Sequence, residues 1–332
     1  MATSIHITGG GVRGVFSASC IDSLQKHGGA WLDNVHHVSG VSAGSIVAAC
    51  IASEKDLAHT VDMLQNKTIV EPHSTCSSLM HAFGLWKHGT AYYDNEGLMD
   101  ALQDITADAR CEVPELIIGV TNNTTMRQEL RRLRRGQRID PREIVASCSI
   151  PALFPPVRLG DADYIDGGVF SLFARDAVMN DMDDGHTRVT LLMCSQPWQN
   201  RHDPHGQQGL RAVLTRFATE LLWSQRRHCV EQYLNKLDVH MDDLPPRFAI
   251  LCPSREVVLP GGGMPSAPWD KAVIFCSPSE DQYARWATTN LTMSPDARAP
   301  GIRRMVDDGQ EAAMDVQRLL LLCGIRDIDV SA

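Results

Sequence analysis

Apolar residues in this chain fall into two alternating rhythms. Short runs closed by glycine, proline or small polar residues read as strands, and between them apolar positions recur every three or four residues and read as helices. Ser4-Ile5-His6-Ile7-Thr8 is the first strand-like run. It passes through Gly9 to Gly14 into Val15, Phe16, Ala18, Ile21 and Leu24 at helical spacing. A second strand from Val35 to Ser39 enters Gly40-Val41-Ser42-Ala43-Gly44 and then Ser45 to Ala52, which is apolar on nearly every face and is predicted to be the central buried helix. A helix over about Lys55 to Asn66, a buried strand at Leu116 to Val120, and core strands at Arg188 to Cys194 and Phe248 to Cys252 continue the pattern. Leu210, Val213, Leu214, Phe217, Leu221, Leu222, Val230, Tyr233, Leu234 and Leu237 predict a long amphipathic helix, suited to covering the sheet or pairing with a second subunit. A terminal helix is expected within Met293 to Val316. The alternation runs without a linker, which predicts one α/β domain over residues 1–332.

Two stretches fit the rhythm less well. Leu79, Met80, Phe83, Leu85 and Trp86, within Ser74 to Thr90, are expected to form a helix packed on the core, with a mobile apolar flap as the alternative. Arg127, Arg131, Arg132, Arg134, Arg135, Arg138 and Arg142 lie within sixteen residues of one another. They are expected on a solvated hairpin or helix face, the sharper alternative being a patch facing anionic lipid headgroups.

Composition narrows the class. With 332 residues, 43% hydrophobic and 21% charged, the chain can bury a large core. A formal net charge of −9 argues against a general nucleic-acid binder. Of ten cysteines, Cys20, Cys50, Cys148, Cys194, Cys252 and Cys276 sit in apolar runs, and none forms a C-x-x-C pair, so they are expected to be buried free thiols. No signal-like segment or bilayer-length apolar run is present in the sequence, which predicts a cytoplasmic protein that visits a membrane surface at most transiently. No motif calls for a cofactor or a metal, and Pro260-Gly261-Gly262-Gly263-Met264-Pro265 is expected to be a loop without a phosphate-binding lysine.

The chemistry concentrates in the glycine turns. Gly40 to Gly44 is a G-x-S-x-G sequence between a strand and a helix, a turn tight enough to force Ser42 into a strained conformation with only small neighbours around it. That makes Ser42 the candidate nucleophile, supported by Gly40 and Gly44. Gly9, Gly11 and Gly14 satisfy G-x-G-x-x-G, with Asp33 at the distance of a ribose-binding acid, but Asp33 precedes the second strand instead of ending it. Neighbouring parallel strands would instead bring the peptide N–H groups of Gly9, Gly10 and Gly11 to the space above Ser42, as an oxyanion hole. Arg13 is expected to hold this loop in shape by pairing with a carboxylate, the alternative being contact with a substrate phosphate.

Asp163-Tyr164-Ile165-Asp166-Gly167-Gly168 puts a carboxylate on a tight turn after a short strand, with Gly167 and Gly168 allowing close approach. A Ser-His-Asp hydrolase of the α/β type keeps its serine deep in the chain and its histidine near the end, whereas here Ser42 is early and no histidine follows His240. His6, His36 and His37 lie near the motifs and are expected to be structural. A dyad of Ser42 and Asp166 remains as the candidate.

The Gly9 to Gly14 loop, the Gly40 to Gly44 turn, Ala146 to Pro151 with Phe154-Pro155-Pro156-Val157, and Asp166-Gly167-Gly168 resemble, in order, the signature elements of the patatin-like phospholipases. The resemblance covers residues 3–180 and implies a three-layer α/β/α fold with a mostly parallel sheet. It also implies Ser42 as nucleophile, Asp166 as base, Gly9 to Gly11 as oxyanion hole, and calcium-independent hydrolysis of lipid acyl esters, glycerophospholipids first among them. Where the family often continues with an asparagine and a proline, this chain has Leu172 and Ala174. Residues 181–332 are expected to complete the sheet and add helices, serving as a cap or an oligomer surface. The alternative function is a nucleotide-binding module with idle hydrolase motifs, or a lipase switched on by a nucleotide or protein partner.

Overall fold

The computed structural model describes residues 2–27, 34–66, 91, 93–151, 153–183, 187–194, 228–233, 235, 248–251, 257–258, 273–286, 289 and 294–322. Its strands are β1 (Ala2–Ile7), β2 (Val35–Val41), β3 (Glu115–Asn122), β4 (Gln128–Arg134), β5 (Val157–Leu159), β6 (Ala162–Asp166), β7 (Thr187–Leu192), β8 (Phe248–Leu251), β9 (Val257–Val258) and β10 (Val273–Cys276). The helices are α1 (Gly14–His27), α2 (Ala43–Ala52), α3 (Ala58–Asn66), α4 (Glu96–Thr106), α5 (Pro141–Cys148), α6 (Arg175–Asp183), α7 (Glu280–Trp286) and α8 (Pro295–Leu322). The strands form one sheet in the order β5-β6-β3-β2-β1-β7-β10-β8-β9, with β4 paired to β3. Pairing is parallel from β3 through β2, β1 and β7 to β10, and antiparallel towards both edges.

The parallel centre is buried on both faces, which explains why its strands read as continuous apolar or small-residue runs. On one face Ile5, Ile7, Val38, Leu116, Ile118 and Val120 join the apolar sides of α1 to α5 and α8 in a single core. Each such aliphatic side chain contributes about 1.5–3 kcal/mol when fully buried. On the other face Ile117 packs with Ala174 and Ala177 at the start of α6, and Phe173 meets Tyr233 of the helical residues 228–233 edge to face at 5.6 Å. Helices on both sides of a mostly parallel sheet give the expected three layers. From β1 the chain first builds outwards through β2 and β3, and later returns to the other side of β1 with β7. Such a reversal opens a crevice at the carboxyl ends of the strands, where ligands bind in open α/β sheets.

Several boundaries move from their sequence expectation for local reasons. β2 runs to Val41, two residues further, because Gly40 and Val41 pair with Ile118 and Gly119. α3 starts at Ala58 because the Asp56 carboxylate accepts the Ala58 N–H at 2.9 Å, as a cap does. Of the arginine-rich run, Arg131, Arg132 and Arg134 lie on strand β4, whose polar alternation conceals its pairing with β3. The stretch Ser74 to Thr90, Asp33, the loop Pro260 to Pro265 and most of the predicted helix over residues 210–237 lie outside the described residues.

α8 crosses α1 at close range: a Cβ on Gly309 would lie 2.6 Å from the carbonyl oxygen of Phe16. Ser19 Oγ donates to the Val306 carbonyl at 2.8 Å beside it. Gly309→Ala tests this crossing. Alanine favours the helix by about 1 kcal/mol, but backbone cannot give way as a flexible side chain can, so a net loss of roughly 1–3 kcal/mol in urea unfolding is expected. An unchanged or higher midpoint would mean that the two helices are free to move apart.

Candidate active site

β2 delivers Ser42 and α2 begins one residue later. Ser42 has φ 53° and ψ −130°, a conformation that side chains rarely adopt. What holds it there is mostly backbone. A Cβ on Gly44 would lie 2.5 Å from the carbonyl oxygen of Ile7, and one on Gly40 would lie 2.1 Å from that of Gly44. The turn is thus compressed against β1, where no larger residue fits. The Ser42 N–H donates to Ser147 Oγ at 2.8 Å, and Ser147 in turn donates to the Gly119 carbonyl at 2.7 Å. The Ser42 carbonyl accepts from both the N–H and the hydroxyl of Ser45, at 2.8 and 2.6 Å. With its backbone bonded on both sides and no capping bond from its side chain, Ser42 keeps its hydroxyl for another partner.

Facing it is Asp166, whose carboxyl is near enough for the Ser42 side chain to pull its pKa down. Asp166 ends β6, pairs with Val120 of β3, and donates its N–H to the Ser149 carbonyl at 2.9 Å. Its Oδ1 accepts from Gly168 N at 2.7 Å. Gly167 fits against the Gly119 carbonyl, 2.2 Å from where a Cβ would stand. The following segment carries Leu172 and Ala174 and is braced by Gln128, which donates to the carbonyls of Ser171 and Phe173 at 3.3 and 2.8 Å and accepts from Arg175 N at 3.0 Å. Burial pushes the Asp166 carboxyl up to about 6, against the opposing pull of the nearby Ser42 side chain and the Gly168 N–H. Such a group is ionised at neutral pH yet basic enough to accept a hydroxyl proton.

The glycine loop lies against the same serine. A Cβ on Gly9 would stand 2.7 Å from Ser42 Cβ, and one on Gly10 only 2.1 Å from Cys194 Sγ. Gly11 has φ +60°, which glycine adopts at no steric cost. Cys194, just past β7, donates its thiol to the Gly9 carbonyl at 2.9 Å. Because C=O and N–H point oppositely across a trans peptide, this bond turns the Gly10 N–H away from Cys194. The Arg13 guanidinium sits over the Tyr283 ring, 5.3 Å from its centroid, which anchors the loop to α7 through a cation–aromatic contact.

Sequence reasoning named Ser42, Asp166 and the glycines, which the fold brings together, but assigned no work to Ser147, Cys194 or Cys148. Cys148 Sγ lies 4.0 Å from Ser45 Oγ, and burial raises its thiol pKa far above the usual range. Their signal was present only as small residues inside the Ala146 to Pro151 motif and at the end of a strand. Cys20, Cys50, Cys111, Cys148, Cys194, Cys229 and Cys276 are buried free thiols, while Cys252 lies outside the described residues. The arginines of β4 and α5 are largely engaged: Arg131 with Glu143 at 3.1 Å, Arg132 with Glu115 at 2.7 Å and Arg142 with Asp140 at 2.6 Å. Because β4 runs antiparallel to β3, its later arginines approach the end of the sheet opposite Ser42. No described helix is long and apolar enough to cross a membrane.

Comparison with protein families matches residues 6–178, just over half of the chain, to the model described as patatin-like phospholipase. A comparison with curated proteins returns no match. Similar solved structures include VipD from Legionella pneumophila, at 15% identity and TM-score 0.46, covering 95% of this chain and 66% of that one. Human GIVD cytosolic phospholipase A2 is similar at 10% identity and TM-score 0.49, covering 98% of this chain and 60% of that one. Its complex with methyl gamma-linolenyl fluorophosphonate gives 12%, 0.48, 98% and 59%. The chain thus spans from 59% to 66% of the length of these proteins.

A buried carboxyl with a raised pKa has a consequence for stability. The folded-state value of about 6 exceeds the unfolded 3.8, so the contribution of Asp166 to stability is fully present below pH 3.8 and lost as pH rises through 6. At pH 8 its ionised form costs on the order of 3 kcal/mol. Asp166→Asn, which keeps the shape without the charge, is expected to raise the thermal midpoint at pH 8 and to lose that advantage towards pH 4. A lower midpoint at pH 8 would contradict the burial of an ionised carboxylate.

Proposed function

Because this chain belongs to the patatin-like phospholipase family, we propose that it is a serine lipid acyl hydrolase working through Ser42 and Asp166. The observation that carries this is the strained Ser42 turn, with a buried carboxyl beside it whose pKa burial pushes up to about 6. Asp166 takes the Ser42 proton as Oγ attacks the ester carbonyl. Peptide N–H groups of Gly9, Gly10 and Gly11 receive the developing oxyanion, with Gly10 turned by the Cys194 bond. As the tetrahedral intermediate collapses, Asp166 returns the proton to the leaving alkoxide and the acyl group stays on Ser42. Water, deprotonated by Asp166, then cleaves the acyl-enzyme to a fatty acid and restores the serine. Arg13, Gly40, Gly44, Gly167 and Gly168 shape this arrangement without taking part in bond changes.

For the substrate we propose a glycerophospholipid at a membrane surface. Family membership supports it, and so do the exposed apolar side chains of Ile150, Leu153 and Phe170, on the two segments that flank and bond Asp166. Apolar groups beside a site suit acyl chains better than a soluble ester. The arginine run gives this docking little help, since Arg131, Arg132 and Arg142 are ion-paired and its later β4 arginines lie towards the opposite end of the sheet.

Ser42→Ala and Asp166→Asn are each expected to lower turnover of a chromogenic acyl ester by ~10³-fold or more while remaining folded. Near-normal turnover by either would end the dyad proposal. In the wild type, kcat/KM is expected to fall tenfold per pH unit below about 6, as Asp166 protonates. Incubation with a mixed membrane extract should release lysophospholipid and free fatty acid. Products from neutral lipids alone would leave the dyad standing and move the substrate class.

A further inference from the structure

Three donors with no part in the hydrolytic proposal converge on the face of the sheet away from the main core. His6 lies on β1, His37 on β2 and Asp181 on α6, and all three are buried. The two histidines and the aspartate are distant in sequence and meet only because β1 and β2 are neighbours and α6 packs across them. His6 Nε2 is 2.8 Å from Asp181 Oδ2, and His37 Nε2 bonds the same oxygen. The three donor atoms all lie within 4.8 Å of one another. The far nitrogen of His6, Nδ1, is bonded to Ser39 Oγ at 2.7 Å.

We propose that His6, His37 and Asp181 form a binding site for one divalent transition-metal ion, zinc by the chemistry of the donors. Two imidazoles and one carboxylate are the nitrogen and oxygen set that zinc takes with three protein ligands, a water completing the tetrahedron. Ser39 plays the part of the outer partner that fixes the ring orientation and tautomer of a ligating histidine. Metal–donor lengths of about 2.0–2.2 Å put tetrahedral donors roughly 3.3 Å apart. Seating the ion therefore asks both imidazole contacts to Asp181 to open, that of His6 by about half an ångström and the shorter one of His37 by more, through side-chain rotation. The small exposure left to the His37 and Asp181 side chains, 11% and 9%, lets an ion and its water enter.

Charge points the same way. The Asp181 carboxylate reaches both imidazoles through one oxygen, so its charge sits between the two rings. Ligation takes neutral imidazoles, so any proton held between an Nε2 and Asp181 leaves as the ion binds. Among the described residues the bonds to this buried anion come from imidazoles, and a divalent cation would balance it. An ion here would tie together β1, which ends at the Gly9 loop, β2, which ends at Ser42, and the helix that follows the Asp166 turn. Its role would be to brace the site from below without touching the reacting atoms.

The test uses the whole chain, stripped with a chelator and titrated with Zn²⁺ alone. One zinc per chain by elemental analysis is expected, with a thermal midpoint raised by roughly 5 °C at 100-fold excess over Kd. Co²⁺ should give the visible absorption of a four-coordinate nitrogen and oxygen site. Asp181→Asn and His37→Gln, checked for folding by circular dichroism, should weaken binding at least ~10-fold. Absence of both the midpoint shift and the cobalt band would overturn the proposal and leave the three residues as a hydrogen-bonded brace. So would zinc uptake unchanged in both variants, which would give the ion to cysteine thiols. Because neither readout is hydrolysis, failure here leaves the Ser42 and Asp166 proposal untouched.

Discussion

Everything at the candidate active site depends on one close approach, that of the β2 to α2 turn against the carbonyls of Ile7 and Thr8. A Cβ on Gly44 would stand 2.5 Å from the Ile7 oxygen and 2.6 Å from that of Thr8, so the turn can only be made with glycine there. Compression of this kind places Ser42 at φ 53°, a departure that costs about 1–3 kcal/mol and persists only where the surroundings over-determine it. Here they do: β2 is paired on both sides, α2 is buried along its whole length, and Ser147 bridges the Ser42 amide to the Gly119 carbonyl. The same approach sets the Gly9 loop against the serine, since that loop is the direct continuation of β1.

A second cost is electrostatic. Asp166 is buried with few polar partners, which holds its carboxyl near 6 instead of 3.8 and makes its ionised form a burden at neutral pH. Had the fold surrounded Asp166 with further N–H donors, the group would be more comfortable and a worse base. Strain at the serine and under-solvation at the carboxylate are both offset by the core under the sheet, where the apolar faces of β1, β2 and β3 meet α1, α2, α5 and α8. The site is a local loss carried by a global gain.

The parts legible in the sequence were those written in small residues and short-range pattern. Gly40 to Gly44 announced the strained turn, Asp166-Gly167-Gly168 announced the carboxylate, and apolar periodicity located β1, β2, β3, α1 and α2. What escaped was carried by polar residues whose partners lie far away in sequence. Strand β4 is mostly arginine, glutamate and glutamine on its open side, so its pairing with β3 has no apolar signature. His6 and His37 read as isolated strand histidines because Asp181 reaches them only through the return of the chain on α6. Cys194 and Ser147 are small residues at element ends, whose contribution is a single well-aimed hydrogen bond that no spacing rule encodes.

The central claim is that a carboxylate, with no histidine between, activates a conformationally strained serine. The most direct measurement is the pH dependence of covalent capture: the rate at which a fluorophosphonate probe modifies the protein, read by intact mass with the labelled peptide identified. The account predicts one adduct, on Ser42, forming at a rate that rises along a single titration centred near pH 6 and stays flat above it. In Asp166→Asn that titration should vanish together with most of the rate. Labelling elsewhere, or a pH profile that survives the loss of Asp166, would contradict it.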